Sequence, residues 1–228
     1  MKSVEVRSGR DGSESAADPI YADLKERILS GDLPGETPLR QDNIAVNYNV
    51  SKIPVREALR RLENEGLVTF RPRRGAIVRS LSNDEVLHLM DIRIALECRA
   101  LELAVPNMIE SDFTSIRKLL DDYAVRTEVS EWSELNQQFH QAIYEPCGNR
   151  EILTLIASVQ QKLGRYLRIL VTEIRGLQRP MREHAEILTA CEDGRIEDAV
   201  QLLRRHIETT KKEVAAHLLR GNKTSLGA

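Results

Sequence analysis

The sequence predicts a mainly α-helical protein in two parts: an N-terminal unit of three short helices and two strands, then a C-terminal unit of six longer helices. Three observations lead there. Apolar residues recur at helical spacing along most of the chain, in runs punctuated by Gly, Pro and Asn clusters. Strand-like patterning is confined to the stretch from Leu67 to Arg79. The length, 228 residues of which 41% are hydrophobic and 30% charged, suits two ordinary helical domains in water.

Residues 1–17 are polar and nearly free of large apolar side chains, which predicts a disordered arm. Asp18-Pro19 reads as an N-cap followed by proline at the first helical position, and Ile20, Leu24 and Ile28 then line one face up to Gly31. Leu33-Pro34-Gly35 is a turn. A second helix covers Gln41 to Tyr48 with Ile44 and Ala45 inward, and a turn at Asn47-Tyr48-Asn49 follows. Ser51 caps a third helix running to Glu65 and stopped by Gly66; its inward stripe is Val55, Ala58, Leu59 and Leu62. Strands over Leu67–Arg71 and Ala76–Arg79 flank a hairpin tip at Pro72-Arg73-Arg74-Gly75. Three helices followed by a two-stranded wing is the order of a winged helix-turn-helix, here residues 18–80.

From 81 to 222 the pattern is helix after helix. Ser82-x-x-Glu85 is a capping box opening a helix through Leu87, Met90, Ile94, Leu101 and Leu103 to about Ala104. Further helices fit 111–127, 130–145, 149–174, 180–192 and 195–219, separated by Pro106, Pro146-Cys147-Gly148-Asn149, Pro180 and Gly194. No repeat of 30–45 residues is visible, so the expectation is a six-helix bundle.

The formal net charge is only −2, but its distribution is uneven. Between Val50 and Arg79, eight basic residues (Lys52, Arg56, Arg60, Arg61, Arg71, Arg73, Arg74, Arg79) face three acidic ones (Glu57, Glu63, Glu65). A basic patch on a mildly acidic chain is the electrostatic footprint of a DNA-reading module. Cys98, Cys147 and Cys191 are scattered, which argues against a disulfide framework or a zinc ribbon. No stretch is apolar enough to span a bilayer and no leader is apparent, so a reduced, cytoplasmic protein without a membrane partner is expected.

A recognition helix needs donors near its N-terminus and an apolar face for its own domain. The run Ser51 to Leu59 has both: Ser51 and the first-turn N–H groups suit a phosphate, and Lys52 and Arg56 lie four apart on one face, which continues to Arg60. Either cation reaches guanine or a phosphate; the spacing leaves both open. Arg73, Arg74 and the small Gly75 suit a wing tip pressed on the minor groove or backbone. Such a helix can also be merely amphipathic and solvated, and it is the combination of helix, wing and charge that favours DNA. The segment GDLPGETPLRQDNIAVNYNVSKIPVREALRRLENEGLVTFRPRRGAIV resembles the DNA-binding domain of the GntR family. The resemblance implies recognition positions at Ser51, Lys52, Ile53, Pro54 and Arg56 and a wing tip at Gly75. One departure stands out: Asp42 occupies a second-helix position where the family often offers DNA an arginine, so Arg40 would have to substitute or the contact be absent.

In the C-terminal part, Asn136 and His140 share a helix face at i, i+4, while His184 and His206 lie on the fifth and sixth helices of the bundle. Packing can bring the three imidazoles together, though isolated histidines on helices are more often surface or satisfied core groups. The stretches Asp91-Ile-Arg-Ile-Ala-Leu-Glu97, Asn136-x-x-Phe139-His140, Gly148-Asn149, Glu183-His-Ala-Glu-Ile-Leu188, Gly194 to Ala199 and His206-Ile207 resemble the FCD domain of the FadR subfamily, and the six helices its VanR-like group. The resemblance implies a divalent metal, zinc or nickel, held by Asn136, His140, His184 and His206. Asparagine instead of the aspartate of many relatives leaves the metal charge uncompensated, so a small carboxylate effector completing the coordination is expected, with Arg93 and Arg165 pairing its charge. For Arg93 the competing reading is an ion pair with Glu97 at i+4. The whole then reads as a sequence-specific transcriptional regulator, a repressor acting as a homodimer on a double-stranded operator. Two alternatives remain: an enzyme using the metal to activate water, against which Glu183 and Glu186 flank His184 without H-E-x-x-H order, and an effector-free DNA-binding protein.

Overall fold

The computed structural model describes residues 15–125, 129–173 and 178–225, without the side chains of 129, 130, 165, 169–173, 178 and 221–225. The expected arm therefore lies outside the described residues except for its last three. Two compact units divide the chain, Met1–Ser80 and Leu81–Ala228.

The first unit runs α1 (Ala17–Ser30), β1 (Pro38–Leu39), α2 (Gln41–Asn47), α3 (Lys52–Asn64), β2 (Val68–Arg71) and β3 (Gly75–Val78). Its first helix begins earlier than Asp18-Pro19 suggested. The Ser15 hydroxyl accepts from the Ala17 N–H and the Asp18 carboxylate accepts from the Ser15 N–H (2.8 Å), so Asp18 closes the first turn from inside it. Asp18 also holds Arg61 of α3 at 2.6 Å, which ties the two helices at their polar edge. Between them the stripe Val55, Ala58, Leu59 and Leu62 is fully buried against Ile20, Leu24 and Ile28. At about 25 cal/mol per Å² of apolar surface, burial of this shared stripe stabilises the pairing of the two helices. Gly31 stops α1 with φ 91°, a left-handed value natural to glycine.

The sheet has three strands rather than two, in antiparallel order β1-β3-β2. β1 pairs Pro38 with Ile77 and Leu39 with Ala76, while β2 and β3 run in register from Val68–Val78 to Arg71–Gly75. A two-residue strand has no periodicity to read, and Pro38, lacking an N–H, is confined to such an edge. The turn is Pro72-Arg73-Arg74, closed by the Arg74 N–H donating to the Arg71 carbonyl at 3.2 Å. Gly75 thus opens β3 instead of sitting in the turn.

The second unit is α4 (Asn83–Ala104), α5 (Glu110–Val125), α6 (Val129–Tyr144), α7 (Arg150–Glu173), α8 (Gln178–Glu192) and α9 (Ile196–Ser225). Ser82 opens α4 with the expected capping box, its hydroxyl accepting from the Glu85 N–H and Glu85 accepting from the Ser82 N–H. α4 packs chiefly on α9 and α7 and buries Val86, Met90, Ile94, Cys98 and Leu101, so it is the spine of the bundle. The Tyr166 hydroxyl on α7 accepts from the Leu81 N–H at 2.9 Å and fixes the first residue of this unit. All three cysteines are buried and free; burial pushes the Cys98 thiol up to about 11 and that of Cys191 to about 12. No helix among the described residues is long and apolar enough to cross a membrane.

Candidate functional site

In the first unit, the short turn after α2 presents the start of α3 to solvent. Ser51 has the extended backbone of an N-cap (φ −73°, ψ 170°) but makes no capping hydrogen bond, so its hydroxyl and the first-turn N–H groups stay available. Lys52, Ile53 and Arg56 are exposed and Pro54 half-buried, while Val55 on the other side is sealed in the core. Arg40, Arg56, Arg73 and Arg74 are exposed and form no ion pair or hydrogen bond through their side chains among the described residues. Two other candidates are engaged. Arg60 pairs with Glu63 at 2.5 Å and stacks on the Phe70 ring at 4.5 Å, and Lys52 makes an ion pair with Asp42 of α2. The residue that seemed a gap in the DNA-facing set therefore has a partner on that same face. At the wing, Arg73 has φ 63° and Gly75 φ 72°; for arginine that left-handed backbone is strained.

In the second unit, His140 of α6, His184 of α8 and His206 of α9 converge, all buried, with one ring nitrogen from each lying within 4.8 Å of the others. Phe139 stacks on His184 at 4.2 Å and fixes its plane. Burial, reinforced by the Arg93 charge, holds the His140 imidazole well below the usual histidine range. Burial does the same to His184, and lowers His206 although the Glu183 carboxylate pulls the other way. Three neutral imidazoles result, the form that binds metal.

Their outer nitrogens show which lone pairs are left. Burial and the neighbouring Glu97 push the Tyr144 hydroxyl far up, so it keeps its proton and donates to Glu97 at 2.7 Å. Its oxygen then accepts from the His140 Nδ1–H (2.9 Å), which puts the free lone pair on Nε2, a buried atom with no hydrogen-bond partner among the described residues. His206 likewise donates from Nδ1 to Glu183 at 2.7 Å, and Arg179 grips Glu183 in turn at 2.8 Å. The Nε2 atoms of His184 and His206 lie 3.4 Å apart, about the ~3.3–3.4 Å separating two nitrogens bound tetrahedrally at ~2.0–2.1 Å from one zinc. Donor set, protonation and outer-shell carboxylates fit a divalent metal. Asn136 lies half-buried one helical turn before His140.

Arg93 is buried and its Nε donates to Glu97 at 2.8 Å, so the intrahelical pair exists. Only Nε is used: neither terminal nitrogen has a partner among the described residues. Gln160 adds a third donor to Glu97 at 2.8 Å. The side chain of Arg165 lies outside the described residues. Sequence reasoning missed Tyr144, Gln160 and Arg179. Two of them carried a signal, Tyr144 standing at i+4 from His140 and Arg179 four residues before Glu183.

Comparison with known proteins bears on both units. The family description "Bacterial regulatory proteins, gntR family" matches residues 16–78, and "FCD domain" matches residues 88–209. The HTH-type transcriptional regulator YdhC of Bacillus subtilis is 31% identical over 204 residues, covering 87% of this chain and 85% of its own. The HTH-type transcriptional repressor RspR of Escherichia coli is 27% identical over 201 residues, 86% of this chain and 87% of its own. Among solved structures, a GntR regulator from Rhodococcus sp. RHA1 superposes with TM-score 0.74 at 22% identity, covering 89% of this chain and 99% of its own. These relatives are transcriptional regulators and not enzymes, which sets aside the hydrolytic reading of the histidines. A helix-turn-helix unit matched at one end and an FCD domain at the other make this chain a member of the GntR family of bacterial transcriptional regulators, in its FadR-like, FCD-bearing branch.

Proposed function

We propose that this regulator is a repressor whose hold on its operator is set by a small carboxylate bound beside a metal in the FCD domain. Residues 18–80 read DNA and residues 81–222 bind the effector and form the dimer, all within the cytoplasm. The observation that carries the effector half is the histidine triad: three buried, neutral imidazoles, two with their outer nitrogens tied to Tyr144 and Glu183. His140, His184 and His206 hold the ion, with Asn136 as a fourth, neutral donor. A bound zinc or nickel ion supplies positive charge and open coordination positions to an anion. Because none of the four donors is anionic, the site selects negatively charged ligands. Arg93 adds its two terminal nitrogens, which have no partner among the described residues, with Arg165 assigned beside it by resemblance.

On DNA, Ser51 and the α3 N-terminus take a phosphate, while Lys52, Ile53, Pro54 and Arg56 face base edges in the major groove. Arg40, Arg73, Arg74 and the slim Gly75 backbone take flanking phosphates or the minor groove, and Arg60, held by Glu63, stands behind them. The test is metal analysis of the purified protein together with titration of small carboxylates before and after chelation. Stoichiometric metal, and effector binding that disappears on chelation, are expected. Effector binding unchanged by chelation overturns the metal-linked scheme.

A further inference from the structure

Asp42 and Lys52 are 73% and 64% exposed, yet form an ion pair across the turn between α2 and α3. Exposed pairs contribute little to stability, and the first turn of α2, where Asp42 gains at most about 1 kcal/mol from the helix dipole, does not require a pairing with Lys52. Nor does DNA affinity: beside phosphates an unneeded Asp42 is repelled, and its pairing with Lys52 removes one cation from the patch. The surroundings are equally uncovered, since Val46, one turn after Asp42, and Ile53, next to Lys52, are apolar side chains 79% and 78% exposed. A lysine is donor-only and an ionised aspartate acceptor-only. The surface complementary to the couple presents acceptors immediately beside a donor.

A G·C pair does this in the major groove, with guanine O6 and N7 as acceptors and the cytosine N4 amino group as donor. An A·T pair also sets acceptors beside its one donor, adenine N6, but it offers the lysine a single acceptor in N7 where guanine offers two, and it lacks the cytosine N4 amino group that a carboxylate matches. We propose that Asp42 and Lys52 act as one unit that reads a G·C base pair, Lys52 donating to guanine and Asp42 accepting from the paired cytosine. This rests on the reading that the start of α3 enters the operator major groove. Asp42 is then a specificity determinant.

Binding-site selection from a randomised duplex library, run on the full chain as wild type, D42A and D42N, tests it. Wild type is expected to enrich a two-fold site with one fixed G·C pair per half-site that D42A no longer requires. Discrimination against A·T there falls at least tenfold while the other positions keep theirs. Lys52, released, turns to a phosphate, so non-specific binding by D42A strengthens and its salt dependence steepens by about 0.9 in log–log slope. D42N, whose amide both donates and accepts, shifts the preference from cytosine toward adenine at that position. Unchanged melting temperatures separate this from a folding defect. If D42A keeps every base preference of the wild type, or weakens binding evenly across positions, the inference is overturned. If wild type enriches no sequence at all, the DNA-reading assignment fails first and the inference with it.

Discussion

A buried imidazole whose Nδ1 is already spent on a phenol has one lone pair left, on a nitrogen that no described protein group pairs. That is the state of His140, and the pH dependence of folding follows from it. With the folded pKa values of His140, His184 and His206 below 6.5, the unfolded chain takes up protons near pH 6.5 while the folded chain does not. Their contribution is complete above about pH 6.5 and is lost as pH falls below it toward the folded values. Urea unfolding of chelated protein should show a lower midpoint at pH 5.5 than at pH 7.5; equal midpoints would contradict the burial of neutral imidazoles. Glu97→Ala strands the Arg93 charge and should cost about 3–5 kcal/mol in the same experiment. Asn136→Asp puts a negative charge in the donor set, so metal should bind more tightly and a carboxylate effector more weakly, both measurable by calorimetry. Spacing alone marked little of this centre, only the single-helix pairs Asn136 with His140 and Arg93 with Glu97; the grouping of the three histidines was an implication of the family resemblance. The union of Glu97 with Tyr144 and Gln160 was not legible, because it joins three helices and no local period records such a meeting.

At the level of elements, helix signals with a chemical cause were the reliable ones. Ser82 and Glu85 make their box, Gly31 stops α1, and the α3 stripe is buried residue for residue. The failures were cooperative. β1 exists only because β3 offers it an edge, and α1 starts two residues early because Ser15 and Asp18 satisfy each other's backbone. The wing turn lies between these cases: Pro72 announces it, but nothing local announces an arginine in the left-handed region at φ 63°. That conformation costs about 1 kcal/mol or more, and it persists where the side chain is wanted outside. Arg73→Gly relieves the strain and removes the side chain proposed above to touch DNA. Its melting temperature should not fall, while operator affinity drops and the log–log salt slope loses about 0.9. A drop in stability with DNA binding intact would show the arginine to be structural.

For the molecule as a whole, the expected assembly is a dimer of twice the 25.9 kDa chain mass, measurable by sedimentation. It should shift a duplex carrying two half-sites and release it when the effector is added, whereas tightening on addition would reverse the assigned direction of control. Both units take their shapes from separate cores, which is why a sequence read piece by piece could anticipate each of them. The route by which the proposed ligand signal would pass from one core to the other is written in no periodicity. The molecule does carry its own gauge for that question. Its three thiols all belong to the helical unit, and every one is shut inside it. A thiol reagent added to the native protein therefore reacts only as fast as the bundle breathes, and the DNA-binding unit is silent to it. Ligands that clamp the bundle slow the labelling clock, and those that merely coat its surface leave it running.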